Sequence, residues 1–112
     1  MKNSTLQLRD SLATDLCTWR QCAIDAKAKA KACLNVHNYR AMDIYENDCD
    51  RYVSMFHALV MFACSSGIIT DTEQNYLFDG LQREINTGRV ETEYYRLFVE
   101  REALYNYGFH KV

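Results

Sequence analysis

The chain has 112 residues, of which 25% are charged, with a formal net charge of −2 and no proline. This length is typical of one domain that buries its core without metals or disulfides, so we expect a single helical domain over 1–112. The absence of proline leaves the backbone free to form long helices. The apolar runs are far shorter than the roughly twenty residues that span a bilayer, and Arg9 and Asp10 interrupt the N-terminus, so we expect neither a membrane segment nor a secretory signal.

Cysteine usage and the distribution of charge give further limits. Five widely spaced cysteines, an odd number, predict reduced thiols in a cytoplasmic protein. Residues 1–40 contain seven Lys or Arg and three Asp or Glu, whereas residues 41–112 contain six and twelve. This asymmetry predicts either two electrostatically distinct faces or two halves that neutralise each other on folding, and gives only weak support to a nucleic-acid partner.

The first predicted helix begins near Ser4, which has capping-box spacing with Gln7. Apolar or small side chains then recur every three or four residues, as they do along one face of a helix. These residues are Leu8, Leu12, Leu16, Trp19, Ala23, Ala26, Ala30, Cys33 and His37. Good helix formers become sparse at 35–38, so a turn is expected there.

A second helix is predicted from a cap at Asn38 to a stop at Gly67. Antiparallel pairing of the two helices places small residues opposite large ones, as a packed interface requires. The predicted pairs are Ala30 with Tyr45, Ala23 with Tyr52, Trp19 with Phe56, Leu16 with Leu59, and Leu12 with Ala63. Near Lys27, either Asp48 or Cys49 is then the buried residue, and we favour Cys49 because a buried carboxylate is costly.

The remaining residues predict two shorter helices. Thr70 and Glu73 form a second capping-box pattern, and that helix is expected to end at Gly88. A fourth helix is expected from about Glu91 to Tyr107. The predicted fold is therefore all-α, with a long antiparallel helical hairpin plus two shorter helices in a four-helix arrangement. Because the short helices cannot cover the whole hairpin, we also expect a homodimer along its uncovered length.

Candidate catalytic and metal-ligating groups are sparse. Cys33 and His37 project from one side of a helix, but two ligands do not make a site, and the sequence has no C-x-x-C or H-E-x-x-H motif. The cysteines lie within helical patterns, away from the turns that usually hold nucleophiles. Clustered acids lack the E-x-x-H pairs of di-iron bundles and are typical of a solvated face. We predict no enzyme activity, no cofactor and no metal site.

A basic stripe on the first helix provides an alternative function. Arg20, Lys27 and Lys31 are spaced by seven and four residues and could contact phosphates. An isoelectric point of about 5.9 and the lack of a short helix-turn-helix pair argue against a dedicated DNA-binding protein. A small helical regulator that associates with nucleic acid through this stripe is the alternative prediction.

Tyrosines near the C-terminus predict a protein-binding surface. Adjacent residues of a helix cannot both face inward, so some of the eight tyrosines are expected at the surface, where they either form an interface or lean along neighbouring helices. The predicted contact residues are Tyr94, Tyr95, Glu91, Glu93, Tyr105 and Tyr107. The acidic side chains favour a partner with a basic surface.

These observations predict a cytoplasmic, non-enzymatic module that binds another protein. A small helical chain without catalytic motifs is typical of phage or mobile-element accessory proteins that inhibit a host defence system. An acidic helical face could act by occupying a basic nucleic-acid groove of a host enzyme.

Overall fold

A computed structural model describes residues 2–91 and Tyr94, with side chains described from Gln7 onward. This part of the chain contains three helices and no strand: α1 (Lys2–Asn35), α2 (Tyr39–Ser65) and α3 (Asp71–Thr87). The all-α prediction is confirmed. The four-helix arrangement is not confirmed, because three helices are present and the predicted fourth, from about Glu91 to Tyr107, falls almost entirely outside the described residues.

Helices α1 and α2 form an antiparallel hairpin with a short turn between them. Asn38 Oδ1 accepts a hydrogen bond from the backbone N of Ala41 at 3.3 Å, which confirms the predicted cap of α2. His37 has φ 60° and lies in the turn, so it does not continue the buried face of α1. The start of α1 also differs from the prediction, because the helix begins at Lys2 and includes Ser4 within its first turns.

Aromatic stacking shows how closely the hairpin follows the predicted register. Trp19 stacks on Tyr52 with ring centroids 6.1 Å apart, one helical turn from its predicted partner Phe56. Alanines 23 and 30 of α1 are both buried, so their small side chains lie within the packed interior. Small residues at such positions allow close approach of helices. The size pattern therefore located the interface to within about one turn.

The structure shows which of Asp48 and Cys49 is the buried residue near Lys27. Cys49 is buried, as predicted. Asp48 instead accepts a hydrogen bond at 2.9 Å from Arg51, one turn along the surface of α2. Lys27 pairs with Glu46, whose Oε1 lies 3.0 Å from the lysine Nζ. Glu46 therefore neutralises Lys27 at the surface, and the side chain that is buried in the interior is the Cys49 thiol.

The core lies where the three helices meet. His57 of α2 packs against Phe78 of α3 with ring centroids 4.4 Å apart. The largest fully buried side chains are Tyr94, Phe56, Leu16, Leu77, Leu81, Glu84 and Val60. None of the three described helices combines the length and apolar content needed to cross a membrane.

Both ends of α3 have the predicted capping groups. Thr70 Oγ1 accepts from the backbone N of Glu73 at 3.1 Å, and Glu73 Oε1 accepts from the backbone N of Thr70 at 2.9 Å. This is a complete capping box. Gly67 and Gly88 have φ values of 78° and 75°, in the left-handed region that favours glycine.

The left-handed turn after α3 gives a test of the fold. A Cβ built at Gly88 meets no atom within 4 Å, so Gly88→Ala changes the backbone energy without a clash. A side chain in this conformation costs roughly 1–2 kcal/mol. We expect urea denaturation to show a loss of about 1 kcal/mol in the free energy of unfolding. Asn75→Ala, at an exposed position inside α3, is the control and should cause no loss. Equal stability of Gly88→Ala and the wild type would contradict the observed turn.

Candidate functional site

Two buried ion pairs join α1 to α3. Arg9 Nη2 donates to Glu73 Oε2 at 2.8 Å, and Arg20 Nη1 donates to Glu84 Oε2 at 3.0 Å. No side chain of these four is more than 8% exposed. Removing one partner of a buried pair is strongly destabilising, because it leaves the other charge uncompensated away from water. The pairs therefore restrict how α3 can sit on α1.

The two ion pairs share one spacing. Arg9 and Arg20 are eleven residues apart in α1, as are Glu73 and Glu84 in α3. Eleven residues make just over three helical turns, so both arginines lie on one face of α1 and both glutamates on one face of α3. The pairs ascend the two helices together, which means that α1 and α3 run parallel. Sliding α3 by one turn would separate both pairs at once.

Sequence reasoning did not identify this network. From the sequence, Arg9 only interrupts the N-terminal apolar residues, and Arg20 is predicted to belong to the basic stripe. The signal was present as a pair of matched spacings, because the arginines of one helix and the glutamates of another are separated by the same number of residues. Two such sets become meaningful once α1 and α3 are known to run parallel.

Glu84 links α3 to α1 and to the residues that follow it. Its Oε2 atom accepts hydrogen bonds from Arg20 and from the backbone N of Glu91, the latter at 2.8 Å. Its Oε1 atom lies 3.5 Å from the hydroxyl of Tyr94, a long hydrogen bond. Its backbone O accepts from the backbone N of Gly88 at 2.8 Å. One residue therefore positions the end of α3 and the start of the following segment.

Tyr94 is held inside this network. The guanidinium carbon of Arg20 lies 4.1 Å from the centroid of the tyrosine ring, within the range of a cation–π contact. The ring also lies near that of Phe56, with centroids 6.0 Å apart. Burial raises the pKa of Tyr94 above its ordinary value, the charge of Glu84 raises it further, and Arg20 opposes both. The phenol therefore keeps its proton and remains a donor.

Tyr94 does not lie on the predicted protein-binding surface. Only 1% of this residue is exposed, so it cannot belong to an exposed contact surface. The physical reason is that Arg20 and Glu84 provide polar partners for the ring and hydroxyl in the interior. Glu91 is exposed, and its Oε2 accepts from Arg83 Nε at 3.1 Å. The remaining predicted contact residues, Glu93, Tyr95, Tyr105 and Tyr107, lie outside the described part of the chain.

Each side chain of the predicted basic stripe binds an acceptor within the protein. Arg20 is buried in the ion-pair network, and Lys27 pairs with Glu46. Lys31 is exposed, but its Nζ donates to the backbone O of Asn86 at 3.1 Å. Arg20 therefore drops out of the stripe, and the two lysines have protein acceptors. At Arg20 and Lys27, the basic N-terminal half is neutralised by acids of the later half of the chain.

The absence of a metal site stays a prediction for the whole chain, and the structure shows the candidate ligands of the described residues. None of their His, Cys, Asp and Glu side chains form a group of three or more that could hold an ion. Cys33 and His37 do not share a helix face, because α1 ends at Asn35. His37 Nδ1 instead lies 3.1 Å from the hydroxyl of Tyr39.

The cysteines are all free thiols. Burial raises the pKa of the Cys49 thiol, although the nearby charge of Lys27 opposes this effect. Cys64 Sγ donates to Asp71 Oδ1 at 3.0 Å, and this hydrogen bond raises the pKa of the Cys64 thiol. Because the thiolate is the nucleophilic form, both environments disfavour reactivity.

A second surface feature is an apolar stripe on α2. Met55, Ala58, Leu59 and Phe62 are spaced so that they share one face of the helix. Met55 is 45% exposed and Phe62 67%, while Ala58 is exposed and Leu59 half-buried. Ile44, three turns before Met55, is 54% exposed and falls on the same face. We call these five residues the α2 apolar face.

The α2 apolar face points away from α3. His57, which contacts Phe78 of α3, lies about 140° around the α2 helix from Phe62. Val53, which lines a small cleft with Ile85 of α3, lies on the opposite side of α2 from Met55 by the same reckoning. The helix therefore has two apolar sides, and only one of them faces α3.

Comparisons with protein-family models, with curated proteins and with solved structures give no significant match. The two candidate sites are therefore characterised by the geometry of this protein and not by similarity to another. The buried network fixes the position of α3 and of the segment after it, whereas the α2 apolar face is available at the surface.

The buried phenol predicts a specific loss of stability in alkali. Tyr94 has a raised pKa in the folded protein, so above about pH 10 the unfolded chain loses a proton that the folded state keeps. The contribution of the buried phenol to the free energy of unfolding is fully present below about pH 10 and is lost as the pH rises above this value. Between about pH 8 and pH 11, we expect the free energy of unfolding in urea to fall by more in the wild type than in Tyr94→Phe.

The control for this measurement is Tyr76→Phe, because Tyr76 is 49% exposed on α3. That variant should show the full alkaline loss of the wild type. The same loss in Tyr94→Phe as in the wild type would contradict the buried position of the phenol.

Proposed function

We propose that this protein is a non-enzymatic module that binds another protein through the α2 apolar face. The observation that supports this proposal is the contiguous exposure of large apolar side chains, with Phe62 at 67% and Met55 at 45%. Isolated apolar residues are normal on protein surfaces, but contiguous patches mark interaction sites. A stripe with helical spacing favours contact with another helix.

The inner side of α2 strengthens this argument. Cys49, Phe56, Val60 and Ala63 are buried and provide the packing that the fold requires of this helix. Of the α2 apolar face, Leu59 also packs against this core, whereas the exposed Met55 and Phe62 are not part of it. Exposing Phe62 to water without a partner has a free-energy cost, since burying a side chain of this size contributes about 1.5–3 kcal/mol. A binding partner would recover that energy.

The charges of this face limit the chemistry of the partner. Asp48 and Arg51 lie among the apolar residues and neutralise each other at 2.9 Å. The α2 apolar face therefore favours an apolar helical surface over a strongly charged one. The partner with a basic surface remains a prediction for the acidic residues at and beyond Glu91. Inhibition of a host defence system by a phage or mobile-element protein, in the cytoplasm, is the biological role that we propose for such a module.

Site-specific photo-cross-linking tests the proposed surface. A photo-reactive amino acid replaces Phe62 in the full chain, and the protein is irradiated in the cells that produce it. We expect covalent adducts to a protein partner, identified by mass spectrometry. The same probe at Tyr76, which is 49% exposed on α3, is the matched control and should give no such adduct.

Specificity is established by adding Met55→Glu to the Phe62 probe. Because Met55 lies two turns from Phe62 on the same face, a charge there should abolish the adducts. An absence of adducts at Phe62, or equal adducts at Tyr76, would contradict the proposed surface.

A further inference from the structure

We propose that Tyr94 fills a phenol-binding site of this protein, from which it withdraws so that the phenol of another molecule takes its place. The site, which we call the phenol pocket, consists of Arg20 of α1, Phe56 of α2 and Glu84 of α3. It shares no residue with the α2 apolar face, so this inference goes beyond the proposed function and either can fail without the other.

Each helix supplies one wall of the phenol pocket, and each wall suits a different part of a phenol. The guanidinium carbon of Arg20 lies 4.1 Å from the ring centroid, where a cation attracts the face of an aromatic ring. The Phe56 ring lies 6.0 Å away at an interplanar angle of 53°, within the range of favourable aromatic pairs. Glu84 Oε1 accepts a long hydrogen bond of 3.5 Å from the hydroxyl. The pocket therefore recognises an aromatic ring and a hydroxyl together.

The charge of Glu84 limits the ligand further. Its side chain is fully buried, and Oε2 accepts from Arg20 at 3.0 Å. A neutral phenol can donate to Oε1, whereas a phosphorylated tyrosine would place a second anionic group against the carboxylate. Burial raises the pKa of Tyr94, so the phenol that occupies the pocket carries its proton. We therefore expect neutral phenols, including the unmodified side chain of tyrosine, to bind.

The connection that leads to Tyr94 is lightly attached to the helices. Residues 87–91 are all exposed, and Gly88 turns the chain away from α3 with a φ of 75°. Glu91 is held by its backbone N, which donates to Glu84 Oε2 at 2.8 Å, and by an ion pair with Arg83 at the surface. Ion pairs at the surface contribute little to stability. The contacts that oppose withdrawal are therefore mainly those of the Tyr94 side chain and the Glu91 amide.

The walls of the phenol pocket have supports other than Tyr94. Arg20 and Glu84 bind each other directly, and the Arg9–Glu73 pair holds α3 on α1 at a second level. Phe56 is fully buried in the core. Proteins commonly open one segment at a lower free energy than that of global unfolding. The three helices should therefore stay folded when the connection lifts and Tyr94 leaves the pocket.

Tyr94→Ala tests the chemistry of the pocket, because it removes the phenol and leaves a cavity. Urea denaturation is followed by the fluorescence of Trp19, the single tryptophan, excited where p-cresol does not absorb. Added p-cresol, which is the isolated side chain of tyrosine, should stabilise the variant in a concentration-dependent way that gives its Kd. Toluene should bind at least about threefold less tightly, because it cannot donate to Glu84.

The control for this titration is Tyr76→Ala, at a position that is 49% exposed. p-Cresol should not stabilise that variant. The absence of a p-cresol effect on Tyr94→Ala, or equal binding of toluene, would overturn the proposal.

Hydrogen exchange of the wild type tests whether Tyr94 withdraws. The backbone N–H of Glu91 is bonded to Glu84 Oε2, so its exchange rate reports the lifting of the connection, whereas the buried Leu81 reports opening of α3. A phenol that binds only the open pocket raises the open population by the factor 1 + [L]/Kd. At about ten times the Kd found with Tyr94→Ala, p-cresol should accelerate exchange at Glu91 about tenfold and leave Leu81 unchanged.

An unchanged exchange rate at Glu91, or equal acceleration at Leu81, would show that Tyr94 is a fixed core residue and would overturn the proposal. If Tyr94→Ala does not fold without ligand, p-cresol and toluene are compared at the Glu91 amide of the wild type. There p-cresol must accelerate exchange more than toluene does.

N-acetyltyrosinamide distinguishes the sources of the phenol. Stabilisation of Tyr94→Ala by both this compound and p-cresol would assign the pocket to the tyrosine of a polypeptide. Stabilisation by p-cresol alone would assign it to small phenols, and stabilisation by neither would reject the phenol pocket.

Discussion

The pair of buried arginine–glutamate contacts is the constraint on which the rest of the structure depends. Arg9–Glu73 and Arg20–Glu84 hold α3 parallel to α1 at two levels, three helical turns apart. Burying ionised side chains is favourable only when geometry and hydrogen bonding are good, so an incorrect register would be heavily penalised. Each glutamate also has a second task, since Glu73 completes the cap of α3 and Glu84 binds the backbone that follows it. Helix packing, helix capping and the position of Tyr94 therefore depend on the same two carboxylates.

The ion pairs within the protein determine which side chains remain exposed for contact with a partner. Arg20 is buried against Glu84 and Lys27 pairs with Glu46, so acids of the later half neutralise these two charges of the basic N-terminal half. Because α3 is fixed on one side of the hairpin, the opposite side of α2 keeps its apolar residues exposed, with Phe62 the most exposed of them. The function that we propose follows from that division: charged contacts build the fold, and an apolar stripe provides the contact with a partner.

Much of the fold could be predicted from the sequence, because helix ends and apolar periodicity are local signals. The Asn38 cap and the Thr70–Glu73 capping box were predicted correctly. The ion pairs could not be derived in the same way, because they join residues 64 positions apart and require the direction of α3 to be known. The sequence did not predict the α2 apolar face either, because the helix is apolar on two sides and periodicity alone does not say which side is covered.

A double-mutant cycle on Arg20 and Glu84 tests the central claim most directly. Arg20→Met and Glu84→Met should each lower the free energy of unfolding by about 3–5 kcal/mol, and the double variant by clearly less than their sum, because it leaves no uncompensated buried charge. The predicted coupling is about 1–3 kcal/mol. The same cycle on the Asp48–Arg51 pair, at the surface of α2, should give at most about 0.5 kcal/mol. A coupling between Arg20 and Glu84 no larger than this surface value would contradict the account.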